Sequence, residues 1–406
     1  MLPWFNEAHE ALREKVRDFA ESELAPIATE HDQASRFPWE TVRRMADLGL
    51  LGVNVPEEYG GLGLDYISYM IVIEELARVD VSHSITVSAH STLATSPILT
   101  FGTEEQKRRY IPLLAQGRVL GGFGLTEPSA GSDAGATRTL AIRENGQYRI
   151  TGNKLFITHA GVGEVFVVTA VTGRGQGTHG ITSFIVTKET VDRVEAERVG
   201  IGHASELEPF TPGVRAGKKE DKMGWRASDT RELILEDAVV PAENRLGAEG
   251  EGFINFMKTL DAGRIGIASL ALGLARGAFD QALAFTGERK QSGRPIREFQ
   301  GVQFSLADMA TEIEAARHLV YHAAWLKQSG RSFGTAASMA KLYSSELAMR
   351  TTTRAVQLLG AHGYSAEYPV ERMMRDAKIC EIGEGTSEVQ RMVIARSFFR
   401  EVDPDT

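Results

Sequence analysis

Between about residues 119 and 246 the chain leaves helical periodicity for short runs of β-branched and aromatic residues, and on both sides of that stretch the periodicity is helical. This change of texture limits the fold more than any other feature. Asn145-Gly146 is a strong two-residue hairpin signal followed by Tyr148 and Ile150, and Val165-Phe166-Val167-Val168 and Ile181 to Val186 read as further strands. Roughly eight such strands are expected, and no stretch long enough for a crossover helix separates them, so they predict a barrel or sandwich rather than a parallel sheet. Upstream, Leu12, Val16, Phe19 and Ala20 make one apolar stripe behind a possible Asn6 cap, and the segment Pro56 to Asp65 ("PEEYGGLGLD") is a loop between helices. Downstream, Leu306, Met309, Ile313, Ala316 and Val320 restore the helical stripe. At 406 residues the chain exceeds one ordinary core. The expectation is an α+β multidomain protein, with a helical domain over 1–117, a β domain over 118–246 and a helical bundle over 247–406.

A formal net charge of -9 argues against a nucleic-acid partner, and the short basic runs Lys107-Arg108-Arg109 and Lys218-Lys219 read as solvated surface. The single cysteine, Cys380, excludes an intramolecular disulfide, fits a reducing compartment and reads as a packing residue. Met1 to Glu7 shows neither a basic nor an apolar leader region, and no stretch approaches 18 uninterrupted apolar residues. A cytoplasmic protein without membrane insertion is expected.

Two segments carry chemistry. Near the C-terminus, Glu381 to Gln390 ("EIGEGTSEVQ") sets a carboxylate, a flexible glycine and small hydroxyls between two helical stretches, which is how a turn presents a catalytic base. Taken alone, Glu384 would be one surface carboxylate among 54 acidic residues. The second segment, Gly121 to Ala141, is no dinucleotide fingerprint, since Gly122-Phe123-Gly124 lacks the third glycine and no strand-turn-helix unit follows. Nor is Gly213 to Lys219 a phosphate loop, having three residues between its glycines and no hydroxyl after the lysine. What Gly121 to Ala141 offers is backbone amides and the hydroxyls of Thr126, Ser129 and Ser132 on a Gly/Pro-bent loop.

The segment "RDAKICEIGEGTSEVQRMVIAR" resembles the signature of the acyl-CoA dehydrogenase family, and the resemblance extends over nearly the whole chain. It implies a C-terminal four-helix bundle, bound FAD, and Glu384 as the base that takes the α-proton of a fatty or branched acyl-CoA. Phe123, Leu125, Thr126 and Ser132 then line the flavin, Ser132 also reaching the acyl-CoA. Phe156, Ile157 and Thr158 cover and hydrogen-bond the ring, with Phe156 where the family has Trp. Arg289 and Gln300, from "GERKQSGRPIREFQGVQFSLADMA", and Gln357, Leu358 and Gly360, from "QLLGAHGY", match positions that complete a neighbouring subunit's FAD site, with Ser292 replacing an aromatic and Ala361 a glycine. A homo-oligomer, expected to be a tetramer, follows. Thr386 and Glu388 fall at flavin-contacting positions, and Asp261, Arg264 and Gly385 at substrate-binding ones. No metal is implied. One branch of the family carries its base immediately before the arginine at 264; that position is Gly263 here, which leaves Glu384.

The expected reaction is α,β-dehydrogenation to a trans-2-enoyl-CoA, with electrons passed to electron-transfer flavoprotein. The alternatives are an acyl-CoA oxidase using O2, whose chains normally carry an added C-terminal domain, and a two-component flavin monooxygenase. Ser88 to Thr95 and Gly383 are expected at the floor of the acyl pocket. A glutamate placed at Gly263 is expected to restore part of the activity lost in Glu384→Gln. Residues 191–210 stand where relatives join their strands almost directly, and read as a mobile surface excursion with one helical turn, removable without effect on flavin or turnover.

Overall fold

The computed structural model describes residues 4–202 and 204–402; Met1 to Pro3, where the leader was sought, and His203, inside the 191–210 segment, lie outside the described residues. Asn6 caps α1 (Glu7–Phe19) by accepting the His9 N–H at 2.9 Å, while His9 Nδ1 accepts the Asn6 N–H at 3.2 Å. After a π turn come α2 (Ala25–Ala34), α3 (Trp39–Asp47), α4 (Tyr66–Val79), α5 (Val81–Ser88), α6 (Ser96–Phe101) and α7 (Glu104–Ala115). Every residue of α4 from Tyr66 to Ala77 is buried, so this helix lies within the protein rather than on its surface.

The β region holds β1 (Gly121–Gly124), β2 (Leu140–Glu144), β3 (Gln147–Thr158), β4 (Val165–Val171), β5 (Ile181–Thr187), β6 (Val214–Lys219), β7 (Thr230–Pro241) and β8 (Arg245–Leu246). They form one eight-stranded sheet ordered β6-β7-β3-β2-β4-β5-β8, with β1 beside β4. Asn145 (φ +50°) and Gly146 (φ +79°) make the expected hairpin turn between the paired residues Glu144 and Gln147. Most pairings are antiparallel, and β4 takes parallel partners in β1 and β2. Alternate residues of β4 and β5 face two cores. Val165, Val167 and Ile185 pack with Tyr110, Ile111 and Leu114 of α7, whereas Phe166, Val168, Phe184 and Val186 pack with Tyr148, Leu233 and Val240. The sheet therefore folds over itself as expected, and its outer face seats on the N-terminal helices.

Residues 191–210 are not the mobile surface excursion expected from the sequence. The segment carries α8 (Arg193–Val199) and a short 3-10 turn at Ser205–Leu207, and Ala196, Ile201, Ala204 and Leu207 are fully buried. Ala196 and Ile201 join the same core as Trp39 and Val42 of α3. Gly202 N–H donates to Arg118 O at 2.8 Å, Arg43 Nη1 to Gly200 O at 3.2 Å, and Arg118 Nη1 to Glu206 Oε1 at 2.7 Å. It is a docked part of the core.

The C-terminal region consists of α9 (Gly252–Glu288), a hairpin of β9 (Lys290–Gln291) and β10 (Arg294–Pro295), α10 (Gln300–Gln328), α11 (Gly334–Leu359), α12 (Ala361–Tyr364), α13 (Val370–Ala377) and α14 (Ser387–Val402). Helices α9, α10, α11 and α14 form the bundle, and α4 lies along α9. The approach is close at Gly273 and Gly277, where a Cβ would strike the Glu74 and Arg78 carbonyls. Glu74 and Glu75, fully buried on α4, take Arg276 Nη1 of α9 at 2.6 and 2.9 Å, and Arg17 Nε of α1 lies 3.1 Å from Glu75. Burial raises the pKa of such a carboxyl, but the surrounding guanidinium groups outweigh it and hold Glu75 down at about 2. Among the described residues no helix is long and apolar enough to cross a membrane.

Candidate active site

Glu384 occupies the turn between the 3-10 segment Lys378–Glu381 and α14, in the left-handed region at φ +54°, followed by Gly385 at φ +97°. A non-glycine residue there is strained, by about 1–3 kcal/mol. The residue is partly accessible as a whole, but its Oε2 is shut off from solvent and accepts no hydrogen bond. Burial raises the carboxyl to about 7, against the opposing pull of Lys341 and Arg264. A carboxylate so placed is a base with a proton affinity matched to neutral pH.

The wall facing it is α9. A Cβ at Gly263 would fall on Glu384 Oε2, so glycine leaves the space the carboxylate fills. One turn along, about 4.5 Å by helical rise, the same face meets Ser88 Oγ at Gly266, and that hydroxyl is buried without a partner. Tyr69 OH lies 2.9 Å from Thr92 Oγ1, and Tyr66 OH donates to Ala262 O at 3.1 Å. The part of the Ser88 to Thr95 stretch expected near the acyl chain thus comes to the wall beside Glu384. Asp261 and Arg264 pair at 2.7 Å on α9; Arg264 is buried and Asp261 half-buried.

The two expected flavin segments are brought together. Leu155 N–H donates to Thr126 O at 2.8 Å, and the buried pair Lys154 Nζ and Glu127 Oε1 closes at 2.7 Å. Glu127 also accepts the N–H groups of Arg138 and Thr139 at 2.7 and 3.1 Å, which fixes the loop carrying Ser132 at its exposed tip. Phe123 is buried, and Leu125 and Thr126 are half-buried. In β3 the pairing with β7 shifts between Lys154 and Ile157, and at that bulge Phe156 (φ +58°) is turned outward, 63% exposed, while Ile157 is buried and Thr158 half-buried beside it. A large aromatic held in strained backbone with an open face, next to a loop of amides and hydroxyls, fits a planar ring system such as a flavin.

The remaining expected cofactor residues lie elsewhere. Arg289 ends α9, 26 residues beyond Gly263 (289 − 263), which is about 39 Å along a helix. Gln300 starts α10, and Gln357, Leu358 and Gly360 end α11, so all five share the far end of the bundle. Within one chain they do not meet the base. Ser292 (φ +51°) and Gly293 (φ +81°) form the turn of the β9–β10 hairpin there, an element that sequence reading missed although Ser-Gly is a turn pair. Thr386 Oγ1 accepts the Val389 N–H at 3.3 Å as the cap of α14, and Glu388 is exposed in its first turn. Two fully buried polar residues that sequence reading did not single out, Lys341 and Gln390, touch the base turn. Their signal was available: both fall in phase with the apolar side of their helices.

A helical, β, helical chain with a solvent-shielded carboxylate oxygen on a glycine turn and an exposed aromatic beside a loop of amides and hydroxyls fits the class of flavin-dependent acyl thioester dehydrogenases. Sequence models of the acyl-CoA dehydrogenase N-terminal, middle and C-terminal domains match residues 6–118, 122–238 and 250–399. The chain belongs to the acyl-CoA dehydrogenase family, whose cofactor is FAD. It is similar to the short-chain specific acyl-CoA dehydrogenase of Clostridium acetobutylicum, 49% identical over 96% of this chain and 98% of that protein. It also resembles the mitochondrial short-chain specific enzyme of Bos taurus, 45% identical over 96% and 89%. Among solved structures, butyryl-CoA dehydrogenase from Megasphaera elsdenii superposes with a TM-score of 0.91 at 44% identity, covering 98% of this chain and 99% of that one. A chain from work on the electron transferring flavoprotein of Acidaminococcus fermentans and flavin-based electron bifurcation gives 0.91 at 47%, with the same coverage.

Proposed function

We propose that this protein dehydrogenates short-chain acyl-CoA thioesters to trans-2-enoyl-CoA and passes the electrons to an electron-transfer flavoprotein. The observation that carries the reading is the Glu384 carboxylate, solvent-shielded and unpartnered at Oε2 and raised to about 7 by burial, against the Gly263 face of α9. Glu384 takes the α-proton. FAD, when bound, supplies the acceptor for the β-hydride. The Glu384 N–H, which donates to no described residue, is available to the thioester carbonyl and would stabilise the developing enolate; one such donor is worth about 10²–10³ in rate. Asp261 and Arg264 wall the substrate side, with Ser132 and Gly385 against the thioester; Thr386 and Glu388 approach the flavin from the base turn.

The short acyl chain rests on the relatives named above and on the closeness of Ser88, Tyr69 and Thr92 to the base. Residues 1–117, 118–246 and 247–406 serve as the three domains. Arg289, Gln300, Gln357, Leu358 and Gly360, too far from their own base, complete the cofactor site of another copy in a homotetramer. The test is anaerobic bleaching of the holoenzyme's flavin by butyryl-CoA and octanoyl-CoA, followed by reoxidation. Fast bleaching by butyryl-CoA and reoxidation by electron-transfer flavoprotein are expected. Peroxide release matching turnover would make it an oxidase, and no bleaching by any acyl-CoA would end the reading.

A further inference from the structure

We propose that Lys341 is a positioning residue for the reaction, a buried cationic latch that holds the turn carrying Glu384 in its reactive conformation, with Gln390 as its second arm. The proposal rests on Glu384 being the base.

Lys341 lies on the bundle-facing side of α11 with no exposed surface, among Ala337, Ser338, Ala340 and Ser344. A lysine is almost never fully buried unless something requires its charge. Its Nζ donates to Gly385 O at 2.7 Å. From the other side Gln390, also fully buried, donates its Nε2 to Gly385 O at 3.0 Å and to Glu384 O at 3.3 Å. Both carbonyls of the strained Glu384-Gly385 pair are thus pulled toward α11 and α14, which turns the carboxylate and the peptide N–H groups to the opposite side. Without these donors the left-handed Glu384 would relax, because nothing in its own chemistry favours φ +54°.

The same ammonium acts on the base electrostatically. Facing Lys341 are Arg264 from α9 and Cys380, Glu381 and Glu384 from the base turn, with Glu388 of α14 beyond. Facing Glu384 are Lys341, Arg264 and the buried hydroxyls of Tyr66 and Tyr69 from α4. Burial pushes Lys341 down to about 8, which leaves it cationic at neutral pH and holding Glu384 below the value that burial alone would set. Removing the cation therefore raises the carboxyl further, and the acid limb of the rate profile moves toward alkaline pH.

The test compares Lys341→Met, Lys341→Arg and Glu384→Gln holoenzymes by single-turnover flavin bleaching with butyryl-CoA as a function of substrate concentration and pH. Glu384→Gln must be inactive; an active Glu384→Gln would sink the base assignment itself, a failure distinct from that of the latch. For Lys341→Met the limiting rate is expected to fall about 10²-fold, since a misplacement of about 1 Å costs that much, with little change in half-saturation and an alkaline shift of the acid limb. Lys341→Arg should keep the limb in place. An unmoved limb in Lys341→Met, or a loss seen only in half-saturation, overturns the proposal. Should Lys341→Met yield no holoenzyme, Gln390→Leu decides: a lower limiting rate with the limb unmoved supports the latch, and a wild-type rate refutes it.

Discussion

Replacing Gly263 by alanine should separate catalysis from stability in a single methyl group. The position is interior to α9, where alanine is favoured over glycine by about 1 kcal/mol, so the helix itself gains. The added Cβ would stand 2.9 Å from Glu384 Cδ and 3.4 Å from Oε1, and closer still to Oε2. Restoring an ordinary contact of about 3.5 Å requires the carboxylate to withdraw by more than about 1 Å. A displacement of that size in a reacting group costs about 10²-fold in rate, or about 2.7 kcal/mol at 1.36 kcal/mol per decade. Gly263→Ala is therefore expected to keep its FAD content and melting temperature while flavin bleaching by butyryl-CoA slows about a hundredfold. A wild-type bleaching rate would refute the claim that glycine at 263 exists to seat the base. The contact also revises the sequence expectation for a relocated base. In Glu384→Gln the carboxamide fills the same space, so a glutamate at 263 cannot be accommodated beside it, whereas Glu384→Gly with Gly263→Glu leaves room and should recover part of the activity.

Glu384→Gln should fold and bind FAD as the native chain does while dehydrogenation falls by several orders of magnitude, and native activity, which needs the carboxylate, should decline as pH drops through about 7, both read by stopped-flow bleaching. Ile201→Ala, in the docked 191–210 segment, should cost about 2–5 kcal/mol in chemical denaturation with turnover retained; an unchanged denaturation midpoint would return the segment to the mobile loop expected from sequence. Glu75→Gln should destabilise by up to about 3–5 kcal/mol by removing the fully buried charge shared by the half-buried Arg13, Arg17, Arg78 and Arg276. Because the folded pKa of Glu75 is depressed from 4.5 to about 2, its contribution is present above pH 4.5 and is lost as pH falls toward 2, so the gap between native and variant melting temperatures should close in acid.

What could be read directly in the sequence is what local chemistry decides. The Asn6 cap acts over three residues, the Asn145-Gly146 turn over two, and the helical stripes over a few turns, so each is written in neighbouring positions. The place of Glu384, the proposed base, on a turn before a helix was equally legible, because a carboxylate, a glycine and a helix start in succession are a property of ten consecutive residues. The tertiary structure alone decided what faces that carboxylate: Gly263 from 121 positions away (384 − 263) and Lys341 from 43 away (384 − 341). It alone buried the pair Lys154 and Glu127 under the loop of Thr126 to Ser132, and it alone docked 191–210, whose four buried apolar residues are too sparse and irregularly spaced to show a period. Periodicity reports which side of an element turns inward, but not which distant element it meets there; that choice is made by close packing among all the helices and strands at once.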